Sequence, residues 1–275
     1  MTSFKEGYLE YPDGLKVRYR LNEHNKGAIA VFIHDAGERL ETYDYIFPYF
    51  ETAGIALNAL ELRGHGLSGG KLKALKDFSL LAKDLKRFLS GYLQNRPVYI
   101  VAAGAGACLA VRIASDTRFS VKGLVFVSPL VETSVPSARR ASIALLAKFL
   151  RGILVPSPFS QGAVCGCAEG ESHAPAPAVL FPAGFVHGLF SEMHRAKRDL
   201  PLLRNFPLLL VVGEEDRVVD PVRTAELFKL AFADTQNLRA VSCRKCGHDI
   251  LTGKDRLDYV EKITRWIVKI ETGQD

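Results

Sequence analysis

Four short, nearly continuous apolar runs constrain this chain more than any other feature: residues 28–33, 98–102, 121–127 and 208–212. A strand covered on both faces needs no polar alternation, so such runs predict the buried strands of a parallel sheet. Helical periods lie between them. Phe78, Leu81, Leu85, Phe88 and Tyr92 recur at steps of three and four with Lys and Asp between, and Tyr259, Ile263, Trp266 and Ile270 do the same near the C-terminus. Alternating strand and helix patterns predict an α/β fold with crossover helices. Ahead of this, residues 4–11 and 16–21 flank Pro12-Asp13-Gly14 and read as a hairpin.

Residues 131–200 break the rhythm. They hold an apolar helical pattern dotted with Arg and Lys over 139–155, a Pro/Gly/Ala-rich stretch over 158–182, and a short amphipathic segment near Phe190. An insertion between two core strands sits at the carboxyl edge of such a sheet, over the crevice where ligands bind. The expected organisation is therefore a core of residues 1–130 and 201–275 with a cap at 131–200, which 275 residues accommodate as one domain.

Composition removes several function classes. Hydrophobic residues make up 48% and charged residues 24%, which excludes a disordered, collagenous or disulfide-scaffold chain. The charge of +6 (36 basic less 30 acidic side chains) is spread out, with no Lys/Arg block to recruit nucleic acid. The first residues lack the apolar stretch of a signal peptide, and no run approaches the roughly 18 apolar residues of a membrane span. A cytoplasmic protein with five free thiols is expected.

Four motifs occur in order: Ile33-His34-Asp35-Ala36-Gly37-Glu38 after a strand; Glu61-Leu62-Arg63-Gly64-His65-Gly66-Leu67-Ser68-Gly69-Gly70; Leu210-Val211-Val212-Gly213-Glu214-Glu215-Asp216; and Cys246-Gly247-His248-Asp249 before the final helix. From residue 28 to 266 the chain resembles the α/β-hydrolase fold, in the branch of monoacylglycerol lipases, lysophospholipases and serine-aminopeptidase-like proteins. The second motif, close to that branch's Asp-x-Arg-Gly-His-Gly-x-Ser-x-Gly block, is the most specific. The resemblance implies a mostly parallel central sheet flanked by helices with an inserted helical cap. It also implies carboxylic ester hydrolysis, with Asp216 as triad acid, His248 as base, and backbone amides at Ala36 and Ala105 forming the oxyanion hole. His65 would buttress loops. The implied ligand is a small acyl ester or lipid-like molecule, with no cofactor and no metal.

The nucleophile is where the pattern departs. A serine hydroxyl becomes reactive when an imidazole takes its proton and a carboxylate orients that imidazole, and the fold presents them in the order nucleophile, acid, base. The branch carries Gly-His-Ser-Met-Gly-Gly after a strand; here Ala102-Ala103-Gly104-Ala105-Gly106-Ala107 follows Val98-Tyr99-Ile100-Val101, and Gly104 stands at the serine position. Cys108, one turn further on, is expected to point into packing. Glycine relaxes a turn that costs a side-chain-bearing residue about 1–3 kcal/mol, while loss of a triad serine lowers turnover about a million-fold. Asp35 is a second departure, since the branch has Gly there. A carboxylate beside that hole opposes a developing oxyanion unless it turns outward to solvent or binds an arginine.

The reading that follows is a hydrolase relative without its nucleophile that keeps an acyl- or ester-binding pocket. Two alternatives keep the enzyme frame: Asp216 and His248 activating a water in space left at Gly104, or an engineered Ser-to-Gly form, although several departures together favour natural loss. A third is an interaction scaffold using the cap surface. Cys243 with Cys246, and Cys165 with Cys167, raise a structural zinc or disulfide reading beside that of free thiols. The apolar, cationic stretch 142–155 fits either a packed cap helix or peripheral membrane contact. His173, His187 and His194 have no evident partner in the sequence, and Gly64, Gly66, Gly69 and Gly70 are not followed by the Gly-Lys-Ser/Thr of a phosphate loop.

Overall fold

The computed structural model describes residues 4–22, 27–157 and 180–273. In chain order the strands are β1 (Phe4–Glu10), β2 (Lys16–Asn22), β3 (Ala28–Ile33), β4 (Ile55–Leu60), β5 (Val98–Ala103), β6 (Val121–Val127), β7 (Leu154–Pro156), β8 (Leu180–Pro182), β9 (Leu208–Gly213) and β10 (Leu238–Cys243). The α-helices are α1 (Ile46–Thr52), α2 (Ser79–Tyr92), α3 (Gly106–Ala114), α4 (Ser137–Phe149), α5 (Ala183–Asp199), α6 (Pro221–Ala231) and α7 (Arg256–Thr272). Eight strands form one sheet in the order β1-β2-β4-β3-β5-β6-β9-β10, and β7 pairs with β8 in a separate ribbon. The hairpin β1-β2 and the β2-β4 pair are antiparallel. Every other pair in the large sheet is parallel.

The four apolar runs are β3, β5, β6 and β9, whose burial on both faces explains their composition. One core lies between the sheet and α2, α3 and α5; the other lies beneath α1 and α7. Two strands escape the sequence pattern. Asn58 interrupts β4, yet its amide is fully used, accepting from Asn22 N at 3.0 Å and donating to Ala30 O and Ala56 O. β10 is an edge strand with a half-exposed face, so its apolar signal is weak.

Between β6 and β9 the chain builds α4, the β7-β8 ribbon and α5. The helical pattern expected over 139–155 ends at Phe149, and residues 154–156 are a strand instead. The stretch near Phe190 is a 17-residue helix, α5, whose inner side packs on α3. Helix α4 buries Ile143 and Ala147 while Leu145 and Phe149 are 63% and 71% exposed. Among the described residues no helix is long and apolar enough to cross a membrane.

The free-thiol expectation needs correction at one pair. The chain reverses after β10 so that Cys243 and Cys246 lie 5.4 Å apart between Cα atoms and are joined as a disulfide. Cys165, Cys167 and His173 lie outside the described residues. Cys108 is a buried free thiol donating to Leu130 O at 3.2 Å, and burial pushes its pKa up, as a packing residue requires.

Strand order positions the site. β3 has β4 on one side and β5 on the other, so the sheet reverses direction of growth between β3 and β5, and loops leaving their carboxyl ends lie side by side. The Glu61 block fixes this edge. The buried Glu61 carboxylate accepts from Leu40, Leu67 and Ser68 backbone amides at 3.0, 2.8 and 3.1 Å, tying the loop after β4 to the loop after β3. Gly66 is required there: its φ is +49°, and a Cβ would overlap Glu61. His65 packs edge-on against His34 with ring centroids 5.4 Å apart, beneath the same loops.

Candidate active site

Gly104 ends β5 and turns the chain into α3. Its φ is +50°, its N–H donates to Val127 O at 3.0 Å and its carbonyl accepts from Leu130 N at 2.9 Å. Backbone bonds on both sides of Gly104 therefore hold the turn. Asp216 follows β9; one carboxylate oxygen accepts from the amides of Val218 and Val219 at 2.8 and 2.9 Å. The other meets His248 Nδ1 at 2.8 Å. His248 lies in the loop after β10, so residues 32 apart in the chain converge because β9 and β10 pair in register.

Asp35 is the residue whose position the sequence left open. Its carboxylate turns inward rather than toward solvent or an arginine. Oδ1 accepts from Ala36 N at 2.7 Å and Ala105 N at 2.6 Å, the two amides expected to form the oxyanion hole. Oδ2 lies 3.2 Å from His248 Nε2. The carboxylate occupies the space over Gly104, where a Cβ would overlap it. The water-filled space expected at Gly104 is thus taken by Asp35. Beside it, Asp35, Tyr43, Gly104, His248, Asp249 and Thr252 help line a void of about 10 Å³, enough for one water.

The electrostatics follow from this chain of contacts. Burial works against a charged His248, but hydrogen bonds to Asp216 and Asp35 and their negative charges outweigh it and hold the imidazole's pKa well above its usual value. Burial likewise opposes an ionised Asp35, yet the His248 contact and the amides of Ala105 and Ala36 hold its pKa below the usual range. Asp35, His248 and Asp216 thus form one chain of contacts that favours a charged imidazole between two carboxyl groups.

Two neighbours extend the site beyond what sequence reasoning named. Burial, with Asp249 and Asp35 nearby, raises Glu38 to about 7. His34 is fully buried; its Nδ1 donates to Asp35 O at 2.7 Å and its Nε2 accepts from Leu62 N at 2.9 Å. Both contacts demand a neutral ring, and burial with the adjacent His65 lowers its pKa to about 3. The signal available in the sequence was that Asp35 and Gly104 depart together, one on each of two neighbouring loops. His187 and His194 are exposed on α5, away from these contacts.

A family model described as serine aminopeptidase, S33 matches residues 24–255. Curated relatives are distant. An uncharacterized abhydrolase domain-containing protein of Dictyostelium discoideum is 24% identical over 249 residues, and the chain spans only 26% of its length. The monoglyceride lipase of Mus musculus is 24% identical over 225 residues, covering 78% of this chain and 74% of that one. The monoacylglycerol lipase of Mycolicibacterium smegmatis is 22% identical, with 87% and 88% covered. Among solved structures, a soluble variant of monoglyceride lipase from Saccharomyces cerevisiae, in complex with a substrate analog, superposes with TM-score 0.78 at 16% identity, covering 98% of this chain and 97% of that one. The Paleococcus ferrophilus monoacylglycerol lipase gives 0.76 at 18%, with 98% and 99% covered. These likenesses establish the α/β-hydrolase fold.

Proposed function

The chain belongs to the serine aminopeptidase S33 family, and we propose that it is a member that binds an acyl or ester ligand without serine-based ester hydrolysis. The observation that carries this reading is the Asp35 carboxylate, which takes both Ala36 and Ala105 amides and covers Gly104. An ester carbonyl entering here finds no hydroxyl to attack it and no free amide pair to stabilise its oxyanion. The first loss is worth about a million-fold in turnover, and each missing oxyanion donor about a hundred- to a thousand-fold. Direct activation of water against an ester is disfavoured on the same grounds, since His248 Nε2 is engaged by Asp35, which also fills the space over Gly104.

In this reading residues 131–200 act as a cap over an apolar ligand, the protein works in the cytoplasm, and the exposed apolar side of α4 touches membrane surfaces. The ligand class is suggested by the relatives that are named monoglyceride lipases. The test is turnover of short-chain p-nitrophenyl esters by the wild-type protein and by His248→Ala, together with labelling by a fluorophosphonate probe. Equal, background rates and no label are expected. Esterase-level rates that vanish in His248→Ala would overturn the proposal.

A further inference from the structure

Two cysteines stand at the foot of the loop that carries His248. Cys243 ends β10 and Cys246 precedes Gly247 and His248; their side chains are buried and joined as a disulfide. Their backbones also grip the neighbouring loop. Cys243 O accepts from Glu214 N at 3.0 Å and Cys246 O from Glu215 N at 2.9 Å, so the stretch that leads to Asp216 is tied to the two bridged residues. The approach is too close for a side chain: a Cβ on Gly213 would lie 2.2 Å from Gly247 O and 2.5 Å from Cys246 O. Inside the bridge Lys245 has a φ of +56°, a left-handed conformation that a residue with a side chain keeps where its surroundings impose it.

A bridge placed like this is a poor staple. Its cysteines are three positions apart, and the chain-entropy contribution of a disulfide shrinks with the loop that it closes. The sheet already holds β10, which pairs in register with β9 from Leu238 to Cys243. What the bridge fixes is the reversal between Cys243 and His248. The cytoplasm proposed for this chain is reducing, and bridges that form there are usually transient and catalytic or redox-sensing.

We propose that the Cys243–Cys246 pair is a redox switch for the closed site: the disulfide holds His248 against Asp35, and reduction by a dithiol releases it. The proposal rests on the reading that Asp35 closes this site, and adds its regulation. A thiolate of the reductant attacks one sulfur of the bridge; the S–S bond breaks with its electron pair on the other sulfur, which takes a proton. The reductant's second thiol then displaces the remaining cysteine. Two electrons pass from the dithiol to the bridge, leaving two thiols here and a disulfide in the reductant. Lys245, exposed with Arg244 at the tip of the loop, is then free to leave the left-handed region, and the turn relaxes. His248 transmits the change, because it joins Asp216 at 2.8 Å to Asp35 at 3.2 Å. Once the imidazole moves, Asp35 loses the contact that fixes Oδ2 over Gly104, and its hold on the Ala36 and Ala105 amides weakens.

Amide hydrogen exchange followed by NMR tests this with no ester or ligand, so the outcome is separate from that of the esterase assay. The protein is prepared without reductant and compared with the same sample after dithiothreitol. Reduction is expected to speed exchange at Glu214, Glu215, Ala36 and Ala105 by about tenfold or more, while Leu67 and Ser68, whose amides bind Glu61, exchange as before. Cys243→Ser with Cys246→Ser should show the reduced pattern with or without dithiothreitol; if that variant does not fold, the wild-type comparison carries the test by itself. Cys165→Ser with Cys167→Ser should respond as the wild type does, and loss of the response there overturns the assignment to Cys243 and Cys246. Unchanged exchange at Ala36 and Ala105, with Glu214 and Glu215 alone loosened, overturns the switch. So does alkylation showing free thiols at both 243 and 246 in protein prepared without reductant.

Discussion

Gly104 and Asp35 are best understood as one substitution made in two places. A serine at 104 and a carboxylate at 35 compete for the same volume, so each residue's side chain decides whether the other's is tolerated. Residues in direct contact depart from additivity by about 0.5–3 kcal/mol. Gly104→Ser alone is therefore expected to be destabilised and inactive toward p-nitrophenyl esters. Asp35→Gly with Gly104→Ser should recover most of that stability in urea titrations and show ester turnover that neither single variant shows. A fully active Gly104→Ser variant would mean that Asp35 yields freely. The meeting of Asp216 and His248 was legible because the motifs that carry them resemble two paired loops of a known family. The inward turn of Asp35 was not, because the sequence shows a charged residue beside the hole but not which way its χ1 points.

Elements were legible in proportion to their burial. β3, β5 and β9 are apolar throughout and β6 nearly so, and all four were read correctly, whereas β4 and β10 were hidden, one by a hydrogen-bonded Asn58 and the other by a wet edge. α4 illustrates the reverse problem. Its composition permitted either packing or membrane contact, and the structure buries one side and leaves apolar side chains exposed on the other. Ile143 and Ala147 are buried, while Leu145, Phe149 and Leu150 face outward beside Arg139, Arg140 and Lys148. An apolar strip flanked by cations partitions to anionic interfaces through buried area and charge together. Sedimentation with phosphatidylserine-containing vesicles should show binding that falls several-fold when Leu145, Phe149 and Leu150 are changed to Ser, with unchanged thermal stability. Equal binding by the triple variant would dismiss α4 as the contact.

At the scale of the whole molecule, the charged line through the site ties stability to pH. His248 has a folded pKa raised well above its usual value of about 6.5. A raised group contributes in full below its unfolded pKa and loses that contribution as pH climbs through the folded one. Between those limits the slope reaches about 1.4 kcal/mol per pH unit. Cys108, also raised by burial, acts in the same direction at higher pH. Urea midpoints should therefore fall from pH 7 to 9, and the fall should be shallower in Asp35→Asn, where Asp216 alone retains the imidazolium. A flat profile in the wild type would show that the imidazole is not charged at rest.

The reversal of strand order between β3 and β5 gives these loops a further significance. Because two adjacent strands end against one small volume, that volume has two addresses in the chain. A side chain can fill it from the end of β5, or from the end of β3 when the residue after β5 has none, as Asp35 does over Gly104. Occupancy of the site can then change hands between neighbouring loops while the sheet, His248 and the amides stay where they are.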